Sequence, residues 1–211
     1  MKKLHLITAI ALFGLLTVNA QEVKFGIKGG INFTTVLGTD YEGLKTSFHF
    51  GAASEIILSD NFSVQPELLY SSQGSRYEET YEFLGFIEEE KVDIDLNYLN
   101  IPIMAKFYPV GGFNIEAGPQ IGFLLSAKTD FSFNENGDIT SGSDDLKDHL
   151  KGIDLGLNLG LGYKFTNGFN LGARYTFALT DINDSSNADF MYTNSKLTNM
   201  VAQFSVGFFF N

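Results

Sequence analysis

The sequence predicts an all-β protein, namely an eight-stranded antiparallel up-and-down transmembrane β-barrel of the outer-membrane type after an N-terminal signal peptide. Three observations predict it: strict alternation of apolar and polar residues along eight long runs, connections that alternate between short turns and long loops, and a basic then apolar N-terminus. The 211 residues suffice for one domain, placed at residues 21–211 after a signal peptide at residues 1–20.

The N-terminal segment has the three parts of a secretory signal peptide. Lys2 and Lys3 precede an apolar stretch at residues 4–18, and small residues around Ala20 offer a cleavage site before Gln21. A membrane-spanning helix is the alternative, but it needs about 20 apolar residues and this stretch is shorter. We therefore expect the mature chain to start near Gln21 and to leave the cytoplasm.

The first run, residues 23–34, sets Phe25 and Ile27 against Lys24 and Lys28, which is the pattern of a strand with two unlike faces. The pattern returns at residues 48–58, 62–73, 92–107, 113–126, 153–165, 169–180 and 199–210. In chain order, representative neighbours on opposite faces are Phe50 and Gly51, Leu68 and Glu67, Ile115 and Glu116, Leu157 and Asn158, Ala173 and Arg174, and Phe204 and Gln203. In the fourth run, residues 92–107, the phase shifts near Tyr98 and Leu99, which predicts a β-bulge.

The connections between the runs alternate in length. Tight turns are predicted at residues 59–61, 109–112 and 166–168 from their Asn, Asp, Gly and Pro content. Long polar loops are predicted near residues 35–46, 74–91, 128–152 and 181–198. Short turns on one side and long loops on the other, with an even number of strands, are typical of outer-membrane barrels.

Alternation alone does not decide which face meets lipid, because a soluble lipocalin-type barrel is apolar inside and polar outside. Strands this long, apolar on one face, match a lipid-facing band about 25 Å tall. Aromatic residues also collect towards the strand ends, as at Phe62, Phe107 and Phe165, which is typical of membrane interfaces. The sequence therefore favours apolar side chains pointing outward into hydrocarbon.

The polar faces carry six acidic and six basic residues, so their formal charges balance, as a narrow lumen requires. We predict a structural charge network in the lumen made of Lys24, Lys28, Glu55, Glu67, Lys106, Glu116, Asp154, Lys164 and Arg174. Asp93, Asp95 and Lys128 complete the neutral count. Because eight strands leave room only for their own side chains, we expect a filled lumen, with a conduction or gating path as the alternative.

Composition excludes several functions. A formal charge of −11 and a pI near 4.6 argue against a nucleic-acid partner, and the absence of Cys excludes disulfides and thiolate chemistry. We predict no catalytic residue, cofactor or metal site. His49 beside Glu55 is the one lumenal candidate for a catalytic base, and residues 134–138 with 144–145 resemble a calcium loop without fitting the EF-hand spacing.

Four segments carry a family resemblance: VQPELLYS at 64–71, YLNIPI at 98–103, IEAGPQ at 115–120, and GARY at 172–175 with LTDI at 179–182. Together they resemble the PorT-type outer-membrane β-barrel proteins of Bacteroidetes, in strand order over residues 23–210. The resemblance implies an integral outer-membrane protein. The family's namesake assists type IX secretion, but most members have no assigned activity and no catalytic residues carry over. The chain departs from the usual assembly signal because Asn211 follows the final aromatic residue.

We therefore expect a multi-pass barrel in the outer membrane of a Gram-negative bacterium, with outer-membrane lipid as one partner. The favoured function is structural or interactive, with acidic extracellular loops that contact surface polysaccharide, cations or a protein partner. An accessory role in protein secretion is the second hypothesis. A small-barrel enzyme acting on lipid or peptide through His49 is the third.

Overall fold

The computed structural model describes residues 22–83, 86–184 and 196–210. The predicted signal peptide at residues 1–20 therefore lies outside the described residues, and its boundary with the domain at 21–211 stays a prediction. Within the described part of the chain, no helix is long and apolar enough to cross a membrane.

Nine strands and one short 3-10 helix make up the described secondary structure. The strands are β1 (Glu22–Leu37), β2 (Lys45–Ser59), β3 (Phe62–Phe83), β4 (Phe86–Val110), β5 (Phe113–Glu135), β6 (Asp138–Asp145), β7 (Ile153–Lys164), β8 (Phe169–Ala178) and β9 (Thr198–Phe209). The helix covers Lys147–His149, between β6 and β7. All nine described strands are longer than the five or six residues usual in soluble sheets.

Eight of these strands close into a ring. Neighbouring strands in the ring pair antiparallel, and β5 pairs with β7 as its next neighbour in the ring. The ring closes where β1 pairs with β9, with Ile31 opposite Phe204. β6 pairs only with β5 among the described residues, and it therefore lies outside the ring. The predicted eight-stranded antiparallel up-and-down barrel is confirmed.

The two ends of the barrel differ as the connection lengths predicted. Short turns join β2 to β3, β4 to β5, and β7 to β8 at one end, here called the turn end. Gly111 and Gly168 in two of these turns have positive φ angles of 53° and 91°, which a residue with a side chain rarely adopts. The opposite end, here called the loop end, carries the longer connections.

The outer face of the ring is apolar and the inner face is polar. Phe25 and Ile27 are 65% and 59% exposed, whereas Asn32 and Glu67 on the inner face are 0% and 3% exposed. A soluble protein does not expose a continuous apolar surface of this kind, but lipid covers it. The lipocalin-type alternative, with an apolar interior and a wet exterior, is therefore wrong for the membrane-level part of the barrel.

Aromatic rings cluster on the outer face towards both ends of the ring. At the turn end the rings of Phe169 and Phe208 are 5.1 Å apart in an edge-to-face arrangement. Towards the loop end the rings of Phe50 and Tyr70, on β2 and β3, are 5.3 Å apart. Two such belts are expected where strands pass through the membrane interfaces.

The interior at the loop end is apolar, in contrast to the rest of the lumen. We call this buried cluster the cap: Val36, Val92, Ile94, Leu96, Tyr98, Leu124, Ala127, Leu146, Leu150, Ile182 and Leu197. Strands β4 and β5 supply about half of it, and the segments that flank the long connections supply the rest. Apolar side chains from loops and wall thus close the loop end.

The cap explains why the apolar–polar alternation of the fourth run, residues 92–107 of β4, has the pattern of a one-residue shift near Tyr98 in the sequence. In β4 the even-numbered positions are buried without interruption from Val92 to Lys106. The inward row instead changes chemistry, from polar Asn100 to apolar Tyr98 and Leu96. The predicted shift within β4 is therefore wrong.

A register irregularity does occur at the predicted position, but its extra residue belongs to the neighbouring strand. Asn97 lies opposite Ser126, and Tyr98 lies opposite Leu124, so Leu125 of β5 is the additional residue. A bulge of this kind increases the local twist and bends the strand that carries it.

Two of the predicted polar loops contain strands instead. β3 and β4 stay paired up to Phe83 and Phe86, and β5 continues to Glu135 before turning into β6. We call the resulting four-stranded extension the protruding sheet, made of residues 74–83, 86–95, 128–135 and 138–145. It extends beyond the ring because β3 pairs with β2 only as far as Ser71, and β5 pairs with β7 only as far as Phe123.

Candidate functional site

The centre of the lumen holds a network of ion pairs around Arg174. The guanidinium donates to both carboxylate oxygens of Glu67, at 3.0 and 2.8 Å, and to Glu116 at 2.9 Å. Lys28 lies 3.3 Å from Glu67, and Lys106 lies 3.9 Å from Glu116. Because these side chains are almost fully enclosed, each charge depends on its partners for the solvation that water would otherwise give.

Neutral side chains complete this network. Gln65 donates to Glu67 at 2.7 Å and accepts from Lys106 at 3.1 Å, so it links two of the charged groups. Gln65 and Glu67 therefore lie on the inward-facing side of β3, where Gln65 accepts from Lys106 and Glu67 accepts from Arg174 and Lys28. Sequence reasoning missed Gln65, although its place in the period-two pattern marked it as inward facing.

A second cluster surrounds Glu55 near the turn end. Its carboxylate accepts from Lys164 at 2.5 Å, from the Tyr108 hydroxyl at 2.5 Å and from Ser63 at 2.9 Å. This cluster forms the floor of an open cavity of about 560 Å³, which Lys24 also lines. Three donors satisfy the Glu55 carboxylate, and the hydrogen-bonded side chains close the lumen beneath this cavity.

Two members of the predicted network lie away from its centre. Lys24 pairs with Glu22 at 3.2 Å near the turn end. Asp154 accepts from Asn199 at 3.0 Å and from Thr180 near the cap, and the structure gives no ion pair for it among the described residues. The other seven predicted residues lie in the two clusters around Arg174 and Glu55.

His49 is lumenal, as predicted, but it does not lie beside Glu55 as a partner. One ring nitrogen, Nδ1, is 2.7 Å from Asn32 Oδ1, and Nε2 is 2.9 Å from Ser205 Oγ. Serine, histidine and amide in this order match the connectivity of a nucleophile, its base and an orienting group. The cavity that touches Ser205, however, has a volume of about 20 Å³, which leaves no space for a substrate.

Asp93 and Asp95 do not belong to the lumenal network, contrary to the neutral count made from the sequence. Both carboxylates accept hydrogen bonds from Lys45, and Asp93 also pairs with Arg76 at the base of the protruding sheet. Hydrogen bonding to Asp93 raises the pKa of Arg76 above its ordinary value. Lys45 also donates to the Ile94 carbonyl at 3.1 Å, so these ion pairs attach the sheet to the start of β2.

The segment that resembled a calcium loop is a tight hairpin turn between β5 and β6. Asn136 and Gly137 both have positive φ, at 52° and 98°, as a type I′ turn requires. The side-chain oxygen of Asn134 accepts from the Gly137 amide at 2.9 Å, so it serves the turn. Among the residues that the structure describes, no three metal-ligating side chains converge.

The protruding sheet is strongly acidic. Thirteen acidic and three basic residues give it a formal charge of −10, against −11 for the whole chain. Several acids lie directly opposite each other on neighbouring strands, such as Glu79 with Glu90, and Glu88 with Glu135. Like charges in opposite positions destabilise a strand pair, so this surface is not arranged for its own stability.

One family model matches most of the chain, and several solved structures are similar to it at low sequence identity. The family model described as "Outer membrane protein beta-barrel domain" matches residues 19–184. The attachment invasion locus protein Ail of Yersinia pestis is 14% identical, over 90% of this chain and 99% of Ail, with a TM-score of 0.49. Neisserial surface protein A is 12% identical, over 90% and 99% of the two chains, with a TM-score of 0.47.

OprG of Pseudomonas aeruginosa is 13% identical, over 90% of this chain and 97% of OprG, with a TM-score of 0.40. A search of the curated proteins finds no match. The family model covers most of the chain. The outer-membrane location that its description gives agrees with the apolar outer face of the ring. This chain belongs to the outer membrane protein β-barrel domain family, and it is an outer-membrane protein.

Proposed function

We propose that this protein is an anchored interaction protein, whose closed barrel holds an acidic sheet at the cell surface. Outer-membrane barrels carry short turns on the periplasmic side and long connections outside, which supports an extracellular position for the protruding sheet. The proposed partners are a surface polymer, cations or another protein. The observation that carries the proposal is the concentration of charge, −10, on a sheet beyond a barrel filled by its own side chains.

The filled lumen argues against a diffusion pore. The Arg174 network occupies the centre, the Glu55 cluster lies near the turn end, and the cap covers the loop end. An eight-stranded ring has little further width to offer. The proposal includes no catalytic step, because the enclosed His49 meets Ser205 where a substrate has no room.

Membership of the PorT-type group, and with it an origin in Bacteroidetes, is part of the proposal and is supported by the four sequence segments that resemble that family. That resemblance also supports the second hypothesis, an accessory role in protein secretion of the type IX kind. Among the described residues, no contact favours secretion over surface interaction. Export of surface cargo is therefore the measurement that separates the two.

The test uses a deletion of the gene in the parent bacterium, complemented by the full chain or by a variant whose residues 78–91 are replaced by Asn-Gly, which keeps the pair Tyr77–Val92 in register. We expect the deletion to reduce cell adhesion and retention of surface polysaccharide, and only the full chain to restore them. Loss of cargo export that the trimmed variant restores would instead support the secretion hypothesis. Stable conductance steps of the purified protein in planar bilayers would overturn the closed barrel.

A further inference from the structure

Strand β6 forms one edge of the protruding sheet. It runs for eight residues, Asp138–Asp145, in continuous register with β5 from the pair Glu135–Asp138 to the pair Lys128–Asp145. Nearly all of its residues are exposed, and within the described parts of the chain it pairs with β5 alone. The strand is therefore paired without a register shift on one side, and no other described strand covers its second side.

The hydrogen-bond pattern shows which amides point away from β5. In an antiparallel ladder the paired residues alternate between bonded and non-bonded positions. Just beyond the strand, the Leu146 amide donates to the Ala127 carbonyl at 3.0 Å, so the even-numbered residues here bond to β5. The amides and carbonyls of Ile139, Ser141 and Ser143 therefore point outward along the free edge.

The centre of this edge lacks the features that usually protect an edge strand. Natural edges are blunted by Pro, by Lys, by bulges or by being very short. Residues 139–143 read Ile-Thr-Ser-Gly-Ser, without a charge or a proline, and their pairing with β5 has no register shift. The ring of Phe131 lies over Gly142, where an added Cβ would come within 2.4 Å of it, so β6 is also held in place.

Acidic side chains surround the unprotected centre. Asp138 lies at one end of β6 and Asp144 and Asp145 at the other, while Asp130 and Glu135 follow on β5. The negative charge favours an incoming strand that is basic, and it opposes pairing of β6 with β6 of a second copy. The side chain of Ile139, which is 70% exposed, offers one apolar contact to that strand.

We propose that β6 receives an extended, basic segment of a partner protein as an additional strand of the protruding sheet. Backbone hydrogen bonds to Ile139, Ser141 and Ser143 supply the affinity, and the flanking aspartates select Lys and Arg in the segment. This inference rests on the proposed surface-interaction function and gives that function a binding mode and a partner chemistry.

The test measures amide hydrogen exchange by NMR on the full chain in lipid nanodiscs, with and without a short peptide of alternating Lys and Val. We expect the peptide to slow exchange at Ile139, Ser141 and Ser143 about tenfold or more. A peptide of alternating Glu and Val should have no effect. Replacing Asp144 and Asp145 by Asn should weaken binding and reduce its sensitivity to salt.

A matched pair of variants isolates the backbone contact. Ser141→Pro removes an outward amide and leaves the bonds to β5, because proline is tolerated on the free side of an edge strand. It should abolish the protection, as should Ser143→Pro, whereas Ser141→Ala should retain it. Heat-shift on a gel confirms that each variant is folded.

Three results would overturn the proposal. One is protection of Ser141 already present without peptide, because the edge would then be covered. Another is equal binding by Ser141→Pro and Ser141→Ala. The third is a dimer in sedimentation analysis whose interface is β6. Each of these leaves the surface-interaction function intact, since adhesion by the deletion strain tests that separately.

Discussion

Two arginines in this protein make carboxylate pairs in opposite surroundings, and the difference shows how the two halves of the molecule are built. Arg174 is 4% exposed in the lumen and contacts Glu67 and Glu116. Arg76, at the base of the protruding sheet, contacts Asp93 with half of its side chain exposed. A buried charge in the lumen needs a charged or hydrogen-bonding side chain as its partner. On the protruding sheet, water and salt can take the place of that partner.

The same contrast holds for net charge. The lumen at membrane level pairs its acids with bases because an unmatched charge there has no other solvation. The protruding sheet carries thirteen acids against three bases, and none of these acids is buried, so water and salt screen most of their charge. Charge in the lumen is therefore a structural element, while charge on the sheet is available for contact with other molecules.

The largest expected effect comes from breaking the lumenal pair. Arg174→Ala leaves two buried carboxylates without their main partner and should lower the free energy of unfolding by about 3–5 kcal/mol. Urea titration of the protein in lipid vesicles, followed by its heat-dependent gel shift, measures this. Arg76→Ala is the matched control and should change the free energy by about 1 kcal/mol or less. Equal losses would contradict the contrast.

The cap gives the next largest effect. Leu96 is 1% exposed, and Leu96→Ala should lower the free energy of unfolding by about 2–5 kcal/mol, since it leaves a cavity among packed apolar side chains. Ile139→Ala removes similar bulk from an exposed site on the protruding sheet and should have little effect. The same urea titration compares the two. A small loss at Leu96 would mean that the cap is loosely packed.

The sequence pattern predicted the ring because its period of two fixes which residues face lipid, whatever the strands pair with. It also brought Arg174 and Glu67 into one network, although 107 residues separate them. It misplaced Asp93 and Asp95 because the inward row of β4 changes from polar to apolar at the cap. Alternation alone does not distinguish that change of chemistry from a change of phase.

The hydrogen-bond partners of His49 could not be predicted from the sequence, for a related reason. Asn32 and Ser205 lie 17 and 156 residues away in the chain, and each is an ordinary polar residue at an inward position. Only the strand order and register select them from many equivalent candidates. Glu55 is near His49 in the sequence and was therefore the expected partner. Its carboxylate instead accepts hydrogen bonds from Lys164 and Tyr108.

The strand glycines provide a third, smaller effect within the wall itself. A Cβ at Gly30 would lie 1.9 Å from the Phe204 carbonyl oxygen across the strand, so the backbone would have to move. Gly30→Ala should lower the free energy of unfolding by about 1–3 kcal/mol. Gly172→Ala is the control, because its Cβ would meet nothing closer than 3.9 Å, and it should be neutral or stabilise by up to about 1 kcal/mol.

The smallest effect tests the electrostatics of the protruding sheet. Glu79 lies opposite Glu90, so Glu79→Lys should replace repulsion by attraction and stabilise the strand pair by about 0.2–1 kcal/mol. Glu78 lies opposite Lys91, so Glu78→Lys changes the net charge equally but should destabilise the pair by a similar amount. Amide hydrogen exchange of β3 at low salt measures both. Shifts of the same sign would mean that total charge, and not the opposition of neighbouring side chains, governs the stability of this surface.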